Sequence, residues 1–264
     1  MLRPIPLDHA VELFDPATGH RLHIDAPPSL QLRQQAPRSV QFSLTNQCNM
    51  SCGFCSRPTE RASTWTVGAA LELLADLDRL GVPEVAFGGG EPLAFHGLFE
   101  LVDRLVAETR LAVHMTTNGR LLSERALERL KGKMGEIRLS LYDDNDWRTT
   151  LERLVRSGIR FGVNQLVTPD TINHLPALLA ELDDLGCRDV LLLPAVGHAR
   201  LELSSAAALR LASLLSEPRP GMTLKLGVCW GPELAHVPRL FRSADCGAGH
   251  EFLEITSDRH VRPC

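Results

Sequence analysis

The sequence predicts an α/β protein whose core is an open, partial barrel of parallel strands. Three observations carry that expectation. From residue 40 to about residue 216, short apolar strands alternate six times with amphipathic helices. Strict alternation implies parallel strands joined by right-handed crossovers, and six units are too few to close an eight-stranded barrel. Finally, the residues suited to chemistry fall at the carboxyl ends of strands, where barrels and open α/β sheets gather their ligands.

The elements follow in order. Residues 1–39 read as an accessory arm, in which Val11–Phe14 and Arg21–Ile24 flank the turn-rich run Asp15–Gly19 as a hairpin. Pro27, Pro28 and Pro37 mark an irregular connection. Within the barrel unit, 40–216, strands are expected at 40–45, 84–87, 111–116, 136–142, 159–167 and 189–193. Helices are expected at 67–80, 97–109, 123–131, 147–157, 173–185 and 204–216. Thr66 and Ser123 are suited to cap helix starts, while Gly81, Gly158 and Gly186 follow last turns. Leu71, Leu74, Leu77 and Leu80 recur at helical spacing, giving the first helix a face to pack on a sheet. After Pro218 and Pro220 the pattern changes. Residues 217–264 form a small C-terminal segment with strand-like runs at 222–228 and 252–256 and three cysteines.

The chain has 264 residues, 44% hydrophobic and 23% charged, the composition of an ordinary globular protein. A net charge of −4 argues against a dedicated nucleic-acid or anionic-membrane binder. No apolar run is long enough for a membrane span, and the N-terminus has no signal-peptide pattern, so a cytoplasmic protein is expected. In a reducing compartment, seven unevenly spaced cysteines read as metal ligands rather than a disulfide framework.

Cys48, Cys52 and Cys55 stand in the order Cys-x3-Cys-x2-Cys directly after the first barrel strand. Three thiolates on a short loop can hold an iron–sulfur cluster and leave one iron without a protein ligand. A structural zinc site or unliganded thiols are the competing readings, and zinc would need a fourth ligand at hand. The second strand ends in Val85-Ala86-Phe87-Gly88-Gly89-Gly90-Glu91-Pro92. Its glycines allow close backbone approach to a ligand, and the Glu91 carboxylate can accept from an ammonium group.

The cysteine spacing and the Gly-Gly-Glu-Pro run together resemble the radical S-adenosylmethionine (radical SAM) enzymes. The resemblance implies a [4Fe–4S] cluster whose open iron is chelated by S-adenosylmethionine, with one-electron cleavage giving methionine and a 5′-deoxyadenosyl radical. It further implies that Phe54 lies beside the adenine, and that Gly89, Gly90, Glu91 and Pro92 hold the methionine amino group. Asn118, in Thr116-Thr117-Asn118-Gly119, and Ser140, at the end of the fourth strand, match further cofactor-contacting positions. Asp143, Asp144 and Asp146 either charge the start of the next helix or serve the substrate. Arg148 or Arg153 matches the arginine that peptide-modifying members often carry, although the His-Asp pair that accompanies it is absent.

Cys246-Gly247-Ala248-Gly249 and the final Cys264 resemble the auxiliary-cluster segment called SPASM or, when shortened, twitch. A hairpin would bring Cys246 and Cys264 together, with Cys229 as a third ligand, while Cys187 is expected to be buried. Zinc or no metal is the alternative for this pair. The family pattern has a glycine where this chain has Arg259, and its later cysteines are missing, so the segment is either minimal or part of a longer protein. The expected function is hydrogen abstraction from a ribosomally made precursor peptide, leading to a crosslink, epimerisation or oxidation. The electron donor would be a flavodoxin or ferredoxin. A small-molecule or cofactor-precursor substrate is one alternative, and a non-catalytic metal-binding scaffold is another.

Overall fold

The computed structural model describes residues 2–16, 19–217, 219–230, 234 and 246–264. The chain opens with β1 (Arg3–Leu7), β2 (Ala10–Phe14) and β3 (Arg21–Ile24), a three-stranded antiparallel sheet in the order β1-β2-β3. The expected hairpin is β2 with β3, and the tip of its turn, residues 17 and 18, lies outside the described residues. β1 was not expected. Pro4 and Pro6 argue against a strand interior, but β1 is an outer edge, where a missing N–H costs no ladder bond.

The barrel unit then runs β4 (Ser39–Thr45), α1 (Val67–Arg79), β5 (Glu84–Gly89), α2 (Leu98–Glu108), β6 (Ala112–Thr117) and α3 (Glu124–Leu130). It continues with β7 (Glu136–Ser140), α4 (Trp147–Ser157), β8 (Phe161–Val167), α5 (Leu175–Asp184), β9 (Asp189–Pro194) and α6 (Ser205–Leu215). Neighbouring strands from β4 to β9 pair in parallel. Thr66 and Ser123 cap α1 and α3 by accepting from the third backbone N–H of each helix. Gly158 ends α4 in the left-handed conformation, at φ 71°. The leucine face of α1 is shorter than its spacing implied. Leu71 and Leu74 are buried, but Leu80 is the C-cap and is 68% exposed. Burying side chains such as Leu71 and Leu74 stabilises the fold by about 1.5–3 kcal/mol each.

The C-terminal segment is hydrogen-bonded into this sheet. β10 (Thr223–Leu226) pairs in parallel with β9. β11 (Phe252–Ile255) pairs in parallel with β4 at the other edge, and β12 (Val261–Arg262) returns antiparallel on β11. The sheet order is therefore β10-β9-β8-β7-β6-β5-β4-β11-β12, with the six expected strands flanked on both sides. Pro218 and residues 231–233 and 235–245 of that segment lie outside the described residues.

The three-stranded sheet packs on the amino-terminal ends of the barrel strands. Ile5, Leu7, Ala10 and Phe14 form a small core with Ala112, the first residue of β6. Arg3 pairs with Asp78 at 3.2 Å, and Arg21 bridges the arm's Glu12 to Glu84, the first residue of β5. Burial alone would push the Glu84 carboxyl up. The His114 hydrogen bond and the Arg21, His114 and Arg38 charges outweigh it and hold the pKa at about 2, against an ordinary 4.5. A pKa lowered by folding contributes stability that is complete above 4.5 and is lost as pH falls toward 2. Arm protection is therefore expected to fall across that window. Hydrogen exchange of residues 3–14, read against the core strands, checks it. Glu84→Gln should flatten the pH dependence.

Candidate metal and cofactor site

The loop leaving β4 carries all three N-proximal cysteines. A register shift between Ser43 and Thr45 in the β4–β5 pairing bends the strand end from which the loop departs. Cys48 and Cys52 are partly buried and Cys55 is exposed, and the Cys55 N–H donates to the Cys52 carbonyl at 3.0 Å. Burial pushes the Cys52 thiol up, and the adjacent Cys55 and Cys48 thiols and Asp144 push it further, against the pull of Arg120. The three sulfurs are therefore neighbours. Among the described residues, no three His, Cys, Asp or Glu side chains gather tightly enough for a single ion. A cube of iron and sulfide takes its thiolates at separate corners, which three cysteines on one short loop can reach.

The glycine run braces this loop from below. Gly90 N–H donates to the Thr45 carbonyl at 2.7 Å, and Glu91 N–H donates to the Gln47 carbonyl at 2.8 Å. A Cβ at Gly90 would lie 2.1 Å from the Gln47 oxygen and 2.7 Å from the Asn46 oxygen. Gly89 has φ 107°, where a side chain would be strained, and its Cβ would meet the Thr45 oxygen at 2.5 Å. The first duty of these glycines is backbone-to-backbone contact with the cysteine loop.

Glu91 is 1% exposed, and its carboxylate turns inward. One oxygen accepts from Thr117 Oγ1 at 2.7 Å and from Leu93 N–H at 3.2 Å, and the other accepts from Asn118 N–H at 2.8 Å. Burial pushes this carboxyl up, and the three donors offset part of the shift. Glu91 thus joins the end of β5 to the end of β6, and two oxygens with three donors leave acceptor capacity for a fourth. Pro92 follows, buried, at the start of a short 3-10 turn.

Asn118 stands beside the cysteine loop, its Nδ2 3.7 Å from Cys48 Sγ and 2.8 Å from Asn49 Oδ1. Asn145, 2% exposed, donates from Nδ2 to the carbonyls of Asn118 and Ser140, each at 2.7 Å, and accepts from Tyr142 N–H. It locks the ends of β6 and β7 together. Ser140 is the last residue of β7, and its hydroxyl meets the Tyr142 phenol, which burial pushes up in pKa. The Phe54 ring packs on Tyr142 with centroids 5.5 Å apart, which brings the third-cysteine turn to the end of β7. Arg120 closes the rim by donating to the Asn49 carbonyl at 3.0 Å and pairing with Asp144 at 3.4 Å.

Sequence reasoning brought forward Phe54, Gly89, Gly90, Glu91, Pro92, Asn118 and Ser140, and the structure sets them around the three-cysteine loop. It missed Thr117, Tyr142 and Asn145. Asn145 sits within an Asp-rich run, where attention went to the carboxylates, although an Asn that bonds its own turn is a recognised signal. Of those acids, Asp146 occupies the N-cap of α4 at φ 44°, where its carboxylate takes no backbone N–H and accepts instead from the Thr149 hydroxyl. Arg148 is engaged by the exposed Glu181.

Cys229 follows β10 and Cys264 follows β12, at opposite ends of the sheet order. Burial pushes the Cys229 thiol up, and the charges of Cys264 and Cys246 push it further. Cys187 is buried in the core, as expected. At the carboxyl ends of β8 and β9, a cavity of about 280 Å³ is lined by Val167, Ala195, Leu203 and Trp230, with Cys229 and Glu202 in its wall.

An open parallel barrel with three thiols on the loop after its first strand defines a class of iron–sulfur enzymes. The sequence profile of the Radical SAM superfamily matches residues 42–182, just over half of the chain. The chain belongs to the radical SAM superfamily, which implies a [4Fe–4S] cluster and S-adenosylmethionine. It is similar to a probable GTP 3′,8-cyclase of Methanopyrus kandleri, 32% identical over 56% of this chain and 53% of that protein. It is similar also to the PqqA peptide cyclase of Gluconobacter oxydans, 33% identical over 57% of this chain and 47% of that one. The chain spans about half the length of these curated relatives. In fold it resembles Streptococcus suis SuiB bound to S-adenosylmethionine, with a TM-score of 0.75 at 14% identity, covering 99% of this chain and 81% of SuiB. No described helix is long and apolar enough to cross a membrane.

Proposed function

We propose that the protein cleaves S-adenosylmethionine reductively and abstracts hydrogen from a ribosomally made precursor peptide. The observation that carries the peptide reading is the cavity at the carboxyl mouth of the barrel. Among the described residues its lining mixes apolar side chains such as Val167, Leu203 and Trp230 with polar groups, its charged member is the carboxylate of Glu202, and none is a cation. A nucleoside triphosphate would ask for cations there, whereas a peptide side chain would not. The likeness to PqqA peptide cyclases supports the same reading. The GTP 3′,8-cyclase relatives favour the second reading, a nucleotide or other small-molecule substrate.

Cys48, Cys52 and Cys55 would hold the cluster, which with S-adenosylmethionine supplies one-electron reduction and a hydrogen-abstracting radical. Gly89, Gly90, Glu91 and Pro92 would receive the methionine amino group. The glycines offer backbone carbonyls, and Glu91 offers the acceptor capacity that its three donors leave free. Phe54, backed by Tyr142, would wall the adenine, with Asn118 and Ser140 at the nucleoside side. Cys229, Cys246 and Cys264 would hold an auxiliary cluster across the seam of the open barrel. Electrons would come from a flavodoxin or ferredoxin. Seven free cysteines suit a reducing compartment such as the cytoplasm.

The test is an anaerobic assay of the full chain with reconstituted clusters, dithionite and S-adenosylmethionine. It is run with short peptides encoded beside the gene and, separately, with GTP. Deoxyadenosine together with a mass change in a peptide is the expected result. Turnover of GTP alone would replace the peptide reading by the second one. Zinc without sulfide, and no deoxyadenosine, would overturn both.

A further inference from the structure

We infer that the Asn118 side chain donates a hydrogen bond to the sulfur of Cys48 and thereby sets the reduction potential of the cluster on the first three cysteines. Asn118 Nδ2 has two N–H bonds and two acceptors, Asn49 Oδ1 at 2.8 Å and Cys48 Sγ at 3.7 Å. The other end of the amide fixes its orientation, because Oδ1 accepts from Arg120 N–H at 3.0 Å. A flipped amide would face its oxygen toward the Asn49 oxygen and the sulfur, and its NH2 toward another N–H. The backbone is pinned on both sides, by Glu91 on its N–H and by Asn145 on its carbonyl. The residue is 7% exposed, so water does little to dilute the contact.

Reduction adds one negative charge to a cluster and its thiolates. An N–H aimed at a ligand sulfur stabilises the reduced form more than the oxidised form and raises the potential. Asn118 acts on the electron transfer through Cys48, as a positioning residue. The inference rests on reading Cys48 as a cluster ligand.

Wild type, Asn118→Ala and Asn118→Ser are reconstituted as full chains without S-adenosylmethionine. They are titrated against solution potential with the reduced cluster followed by EPR, and iron and sulfide are counted in each. Asn118→Ala is expected to keep its cluster but show an about tenfold lower reduced-to-oxidised ratio at a fixed poise, about 59 mV for a one-electron couple. Asn118→Ser, which keeps a short donor, should recover part of the shift. A fully loaded Asn118→Ala with the wild-type potential overturns the inference. Should that variant fail to take up iron, wild-type protein carrying 15N in its asparagine side-chain amides decides the matter. A 15N hyperfine coupling to the reduced cluster that Asn118→Ser loses supports the inference, and no coupling in wild type overturns it. Failure of the underlying reading looks different, because then wild type itself takes up no iron and sulfide.

Discussion

Replacing Cys52 by alanine is expected to abolish deoxyadenosine formation while leaving the fold intact. Cys52 is the middle cysteine of the trio, and the charges of both Cys48 and Cys55 act on its thiol. With two thiolates left, a cube would have two irons without protein ligands. The loss should exceed the 10–100-fold typical of removing an outer-shell partner of a metal ligand. Cys52 lies on a loop outside the apolar core, so thermal stability of the apo-protein should change by no more than about 0.5 kcal/mol. Iron and sulfide analysis beside chromatographic assay of deoxyadenosine checks both halves. Wild-type activity in Cys52→Ala would remove the site assignment altogether.

The second large effect is expected at Gly90, through its close packing on the backbone of the cysteine loop. An alanine there sets a methyl group 2.1 Å from the Gln47 carbonyl, which is main chain and cannot rotate away. To make room, the Glu91 N–H bond to Gln47 must break, and the segment entering Cys48 must move. Overpacking of this kind costs about 1–3 kcal/mol, and here it falls on the base of the cluster loop. Gly90→Ala should lose more than half of its iron and cleave S-adenosylmethionine at least about tenfold more slowly, since 1.4 kcal/mol in a barrier is already tenfold. Gly88→Ala is the control for packing, because a Cβ there meets nothing within 4 Å. Its iron content and melting temperature should match wild type. Equal iron loading in Gly90→Ala would show that the loop tolerates displacement.

Much of the fold was legible because the signals were local. The six strands and six helices of the barrel unit follow from periodicity, caps and glycines, and their ends shift by only a few residues. What escaped was set by pairing over long distances. β10 and β11 are short, and nothing within Thr223–Leu226 or Phe252–Ile255 says that one joins β9 and the other β4. β1 was hidden by two prolines that only an edge position makes harmless. At the site, the cysteines and the glycine run were readable from spacing. Their supports were not. Thr117, Asn145 and the inward turn of Glu91 depend on strand ends that are neighbours in space and distant in sequence.

The turn between β11 and β12 holds Arg259 at φ 64°, in the left-handed region that glycine adopts most easily. Arg259 reaches across to the Thr64 carbonyl at 2.7 Å and lies over the Trp65 ring at 4.8 Å, contacts that offset the torsional strain. Trp65 in turn donates to the Thr256 carbonyl. A search that demands glycine at this corner would pass over such a chain. What the hairpin requires is the sign of one dihedral, and here a cation resting on an indole enforces it.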